Sequence, residues 1–161
     1  MRSLVFAITL LFVTTVSAQE KIAENDISQK TENEIVQWEN SLEGAINKSS
    51  NEDKPILVYF TGSDWCGPCI QLDEKLFHTE KFTKYAKENL VLYMADFPRN
   101  RDLVTAENRK INKQLSKKYN QSSFPTLLFI NYKGEVLGRK NGSYMPEYYF
   151  PFFEEIVKNY K

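Results

Sequence analysis

Three short apolar runs divide the chain, and the residues between them carry apolar positions at helical spacing. Ile56-Leu57-Val58-Tyr59-Phe60 is continuous and rich in β-branched and aromatic residues, which predicts a buried central strand. Val91 to Ala95 reads as a second buried strand, and Thr126-Leu127-Leu128-Phe129-Ile130 as a third strand. Helical patterns fall between and after them. Cys69, Ile70 and Phe77 follow Cys66; Phe82 and Ala86 follow Thr79; Ile111, Leu115 and Tyr119 recur every four residues; Phe153, Ile156, Val157 and Tyr160 form the last apolar face. Upstream, Glu34 to Trp38 alternates and predicts a short edge strand, and Asn40 with Glu43 three residues later reads as a helix start before Ala45 and Ile46. Asn131 to Gly134 reads as a hairpin turn with Glu135 to Lys140 returning, and Pro151 falls in the first turn of the last helix or kinks it. The predicted order is strand, helix, strand, helix, strand, helix, hairpin, helix. This is an α/β sheet that ends in an antiparallel hairpin.

The N-terminus changes where this domain is expected to work. Leu4 to Val13 is apolar apart from Thr9, follows Arg2 and precedes the small residues of Val16-Ser17-Ala18. That is the pattern of a signal peptide over residues 1–18, cut after Ala18, and it falls short of the about 20 apolar residues of a membrane-spanning helix. Residues 19–33 are polar and without periodicity, as expected of a flexible leader, which leaves 34–161 as one domain. Lys plus Arg and Asp plus Glu number 21 each, so no basic excess points to nucleic acid and no acidic run to a solvating tail. Export, to a periplasm or beyond the cell, implies a compartment where disulfides persist. Yet the chain has only 2 Cys, and they are three positions apart. A bridge over so short a loop constrains little of the unfolded chain, so the pair suits exchange better than stapling.

The two cysteines sit in Trp65-Cys66-Gly67-Pro68-Cys69, directly after the first strand and opening a helix. The thiolate is the nucleophile in disulfide exchange. At a helix N-terminus Cys66 meets unpaired backbone N–H groups and the positive end of the dipole, and both favour its thiolate. Cys69, one turn on, can attack a mixed disulfide on Cys66 and release the substrate, with Gly67 and Pro68 filling the turn between. This segment is the active-site sequence of thioredoxins, and the chain resembles that family over about residues 34–161. Phe124-Pro125-Thr126 resembles the family's cis-proline loop, Gly142 matches a glycine near the same groove, and Thr61-Gly62-Ser63-Asp64 resembles the exported bacterial thioredoxin-like branch.

The resemblance implies a thioredoxin fold, a central mixed β-sheet flanked by helices. It implies Cys66 as the attacking thiol, Cys69 as the resolving thiol and Trp65 packed beside the pair. Pro125 would be cis and shield the dithiol from metals, and the Phe124 backbone would pair with an extended substrate. Partners would be protein disulfides and a thiol electron donor, membrane-bound or soluble, serving cell redox homeostasis; no cofactor, metal or nucleic acid is expected, and the chain is expected to be a monomer. Gly67 and Pro68 match reducing thioredoxins, which favours reduction over an oxidase or isomerase; a binding module with a relic dithiol is a third reading. One departure stands out. Thioredoxins carry a buried Asp in the strand before the motif and a lysine beside it. Here Tyr59 and Leu92 take those places, so the proton of Cys69 falls to water or another group. Two Cys and the single His78 do not make a zinc set. His78 is expected to be a solvated junction residue, Asp73 and Glu74 solvated carboxylates pointing apart, and the charges from Asn108 to Lys118 a wet helix face. The cluster Tyr144, Tyr148, Tyr149, Phe150, Phe152 and Phe153 is expected to pack the terminal helix.

Overall fold

A computed structural model describes residues 36–160. The expected signal peptide, the leader, and Glu34 and Ile35 of the expected edge strand lie outside these residues. Among the described residues the elements run α1 (Leu42–Glu52), β1 (Ile56–Thr61), α2 (Gly67–Leu72), a π-helical turn (Asp73–Phe77), α3 (Glu80–Asn89), β2 (Val91–Asp96), α4 (Ala106–Lys118), β3 (Thr126–Ile130), β4 (Val136–Asn141) and α5 (Phe150–Tyr160). Single 3-10 turns at Arg101–Leu103 and Pro146–Tyr148 precede α4 and α5.

The strands form one sheet in the order β2-β1-β3-β4. β1 pairs in parallel with β2 and antiparallel with β3, and β3 pairs antiparallel with β4. Side chains of a strand alternate between faces, so β1 feeds two cores. Leu57 and Tyr59 pack with Leu72, Leu76, Phe82 and Phe153, under α2, α3 and α5. Ile56, Val58 and Phe60 pack with Ala45 and Leu115, under α1 and α4. Burial on both faces explains why β1 and β3 read as unbroken apolar runs. This is the thioredoxin fold.

Local differences from the sequence reading have physical causes. No strand forms over Val36–Trp38. Only Glu39 bridges β2, through its N–H to the Leu92 carbonyl at 2.8 Å, because the chain turns into α1 directly afterwards. The cap of α1 is Ser41, not Asn40: its Oγ accepts the Gly44 N–H at 3.0 Å. The helix expected after Thr79 forms as α3, and Thr79 caps it, accepting the Phe82 N–H at 3.2 Å. After α2 the helix widens, and the His78 N–H reaches the Asp73 carbonyl at 3.0 Å. That five-residue spacing turns both Leu76 and Phe77 fully inward. The wet face expected for α4 hides one buried polar residue. Asn112 accepts from the Tyr93 hydroxyl at 2.7 Å and donates to the Asp96 carbonyl at 3.0 Å.

Candidate active site

The segment after β1 is built so that the cysteine pair starts a helix. The N–H groups of Trp65 and Cys66 fold back on the Gly62 carbonyl at 3.2 and 2.9 Å. Cys66 is then the N-cap of α2, and its carbonyl accepts the N–H groups of Cys69 and Ile70 at 2.9 and 3.0 Å. Pro68 falls in the first turn, where a missing N–H costs nothing. Cys66 and Cys69 form a disulfide, with their Cα atoms 5.2 Å apart. Cys66 keeps 6% of its surface exposed and Cys69 1%, so an incoming group meets Cys66 first. Gly67 and Pro68 are exposed beside it. Ile70, read as part of the apolar face, points outward instead, because Cys69, Leu72 and Leu76 take the inward positions.

Trp65 is fixed from several sides although its ring is partly open to solvent. Its Nε1 donates to the Phe97 carbonyl at 2.8 Å. The ring meets Phe124 edge-on at 5.9 Å, and the Arg99 guanidinium lies over it at 5.5 Å. Gly62 is needed beneath it, because a Cβ there would lie 2.4 Å from the indole. Two aspartates tie this turn to the end of β2 and the loop that follows it. Asp64 accepts the N–H groups of Arg99 and Asn100 at 2.9 and 2.7 Å, and these bonds pull its carboxyl below the usual aspartate range. Asp96, buried, accepts the Ser63 N–H at 2.9 Å and the Ser63 hydroxyl at 2.6 Å. Neither tie was expected from the sequence, since the partners are more than thirty residues apart.

The Phe124–Pro125 loop lies next to the motif through the Trp65–Phe124 contact, and its peptide bond is cis. The Pro125 carbonyl accepts the Gly142 N–H at 2.8 Å, and Gly142 has φ 86°, a left-handed conformation suited to glycine. Thr126 anchors the loop to Gln121 at 2.8 Å and to Asn141 at 3.1 Å. The motif, the cis-proline loop and the Gly142 turn therefore share one surface. The aromatic cluster beyond Gly142 divides. Tyr149, Phe150 and Phe153 are buried as expected of core, whereas Tyr144 and Tyr148 are half exposed, since both precede α5, Tyr148 in the turn at Pro146–Tyr148.

Beneath the pair, Tyr59 is buried against Phe77, with ring centroids 4.7 Å apart, and its hydroxyl donates to the Cys69 carbonyl at 3.1 Å. Burial pushes its pKa well above the ordinary tyrosine value. Beside it opens a cleft of about 270 Å³ lined by Cys69, Asp73 and His78 among others. Asp73 is therefore half-buried rather than solvated, and its neighbour Glu74 stays exposed as expected. His78 is exposed, as expected, yet its Nε2 lies 3.6 Å from Asp73 Oδ2. Burial raises the Asp73 carboxyl above the usual aspartate range; His78 opposes the rise, and Glu74 and Asp96 add to it. Among the described residues no group of three or more His, Cys, Asp or Glu is placed to hold a metal ion.

A disulfide at a helix start, one sulfur reachable and a cis-proline loop alongside define a thioredoxin-class redox site. Residues 42–156 match the family described as thioredoxin-like domain, and the chain belongs to it. It is 36% identical over 104 residues to the disulfide bond reductase DsbH of Chlamydia pneumoniae, covering 65% of this chain and 61% of DsbH. It is 25% identical over 115 residues to the thioredoxin-related protein DsbJ of the same organism, covering 71% of this chain and 32% of DsbJ. The chain thus spans less than two thirds of the length of either relative. The solved structure of a DsbH oxidoreductase superposes with a TM-score of 0.69 at 31% identity, covering 77% of this chain and 85% of that one.

Proposed function

We propose that the chain is an exported thiol–disulfide oxidoreductase that reduces disulfides of exported proteins, with Cys66 attacking and Cys69 resolving. The observation that carries this reading is the Cys66–Cys69 disulfide at the start of α2, with Cys66 as its N-cap. The positive end of the helix dipole favours a thiolate at that position. In the reduced protein the Cys66 thiolate attacks a substrate disulfide, forming a mixed disulfide and expelling one substrate thiolate. Cys69, once deprotonated, attacks Cys66 Sγ; the protein disulfide forms and the second substrate sulfur leaves as a thiolate. Two electrons pass to the substrate, and a thiol donor, membrane-bound or soluble, must return them. Trp65, Gly67, Pro68, Phe124 and Pro125 form the wall that a substrate segment would lie against. The name of DsbH, a disulfide bond reductase, supports the reducing direction, and the apolar N-terminal stretch supports export to a periplasm or secretion.

The test is a peptide-disulfide reduction assay with mass spectrometry of quenched samples. Cys66→Ser should give no mixed disulfide, and Cys69→Ser should accumulate one. A reduced wild-type chain that leaves the peptide intact refutes the enzymatic reading and favours a binding module. Direction is read from the reduction potential. A value near about −270 mV, as in thioredoxin, supports reduction, and one near about −120 mV makes the protein an oxidant.

A further inference from the structure

The resolving step needs Cys69 to lose a proton, yet Cys69 is almost wholly buried, on the side of the disulfide away from the substrate surface. The cleft beneath α2 reaches Cys69 and not Cys66. Its polar lining includes Tyr59, Thr61, Ser63, Asp73, Glu74 and His78. We propose that Asp73 accepts the Cys69 proton, through water held in this cleft, during resolution of the mixed disulfide. The proposal rests on the exchange reading above.

Helix geometry places the two residues together. Asp73 follows Cys69 by one turn, so their side chains lie on one face of the helix. The Asp73 N–H donates to the Cys69 carbonyl, which ties the backbone of the two positions. The other groups that face the cleft are poorly suited. Tyr59 holds its proton, because its hydroxyl donates to the Cys69 carbonyl and burial opposes ionisation. Asp96, at the end of β2, lies outside the cleft lining and is engaged by the Ser63 N–H and hydroxyl. Glu74 is exposed. His78 stands outside Asp73 at 3.6 Å, where its charged form draws the carboxyl toward ionisation. Partial burial raises the proton affinity of Asp73 relative to a surface aspartate, which improves the match to a thiol donor.

The step balances as follows. The Cys69 S–H proton passes by way of water to the Asp73 carboxylate, and the Cys69 thiolate attacks Cys66 Sγ. The Cys66–Cys69 bond forms and the bond from Cys66 to the substrate sulfur breaks, its electron pair leaving on the substrate. Asp73 then returns the proton to solvent or to the departing thiolate.

The experiment follows single turnovers of the reduced chain with a peptide disulfide, acid-quenched and read by mass spectrometry across pH. Asp73→Asn should form the mixed disulfide at the wild-type rate. It should then resolve it on the order of 10²-fold more slowly near pH 7, the low end of what a positioned acid–base group contributes. Its resolution rate should rise in proportion to hydroxide, and Asp73→Glu should recover most of the loss. A purely structural role would slow resolution without changing its pH profile. Resolution by folded Asp73→Asn at the wild-type rate and profile overturns the proposal. NMR titration of the Cys69 Cβ in the reduced proteins decides independently of turnover. Loss of the neighbouring negative charge in Asp73→Asn should lower the Cys69 midpoint by roughly one unit, and an unmoved midpoint overturns the proposal even for a chain that proves to reduce nothing.

Discussion

Tyr59 stands where a thioredoxin would carry a carboxylate, and its two contacts can be separated by substitution. The ring is buried against Phe77 at 4.7 Å and Trp38 at 6.0 Å, and the hydroxyl donates to the Cys69 carbonyl at 3.1 Å. Tyr59→Phe keeps the ring and removes only the donor. The Cys69 carbonyl still accepts the Asp73 N–H, so no buried acceptor is orphaned. The loss is then that of an ordinary hydrogen bond, about 1 kcal/mol. With a urea m-value of about 2 kcal/mol per M for a small domain, the midpoint should fall by roughly 0.5 M. Tyr59→Asp loses the ring as well, a change worth about 3–5 kcal/mol for a large aromatic replaced by a small residue. A carboxylate in that site adds a desolvation penalty. Burial raises the folded-state pKa of such an aspartate above its unfolded value of about 3.9. Its penalty is therefore small while both states are protonated, grows as pH rises above the unfolded pKa and levels off above the folded one, so the variant should be relatively worse at pH 7 than at pH 4. Urea melts of the oxidised proteins at both pH values measure all of this. Equal midpoints for Tyr59→Phe and Tyr59→Asp, or a Tyr59→Asp as stable as wild type at pH 7, would refute the reasoning.

Gly62→Ala should displace Trp65 and cost about 1–3 kcal/mol as overpacking, because the new methyl would meet the indole at 2.4 Å; Gly67→Ala, with nothing within 4 Å, should leave folding stability nearly unchanged. Tryptophan fluorescence and denaturant melts check the pair, and equal effects at the two glycines would contradict the geometry. Asp64 should titrate below the usual aspartate range by carboxyl NMR, since the N–H groups of Asn100 and Arg99 favour its charged form. Its contribution to stability is present above the unfolded pKa and lost as pH falls through the depressed folded value, so Asp64→Asn should flatten the acid limb of the stability profile. Asn112→Ala strands the Tyr93 hydroxyl and removes a donor from the Asp96 carbonyl, for a loss of roughly 2–3 kcal/mol; a midpoint within experimental error of wild type would show that water replaces the amide.

The strands and the redox pair were legible because each rests on local sequence. Ile56 to Phe60 is buried on both faces, so its apolar character is unbroken, and Cys66 and Cys69 lie in one pentapeptide. The edge strand failed because alternation over Val36–Trp38 carries no information about a partner, and Glu39 alone finds one. Adjacent acidic residues on a helix point apart and read as solvated, which holds for Glu74 but not for Asp73. Asp73 still lies in regular register with Cys69, and what half-buries it is the cleft against β1 and β2, a tertiary feature. Phase divided the aromatic cluster: Tyr149 and Phe153 are one turn apart and buried, whereas Tyr148 belongs to the preceding 3-10 turn. The ties from Asp64 and Asp96 join segments 33 to 36 residues apart, and no local pattern announces such pairs.

These three aspartates surround one motif and do different work, and their donors explain the division. Asp64 and Asp96 are met by backbone N–H groups and a hydroxyl at 2.6 to 2.9 Å, which hold both carboxylates in fixed positions. They brace the turn that carries Trp65, and their oxygens are committed to those donors. Asp73 faces a histidine at 3.6 Å across a cleft, so protonating it sacrifices much less. The reading of the dithiol as a relic drew its weight from the missing carboxylate on β1. A carboxylate one turn beyond Cys69, on the helix that already carries the pair, would remove that weight once the Asp73→Asn experiment shows it accepting the Cys69 proton. It also leaves Tyr59 free to do what an aspartate at that site does poorly, which is to fill the core under the redox pair.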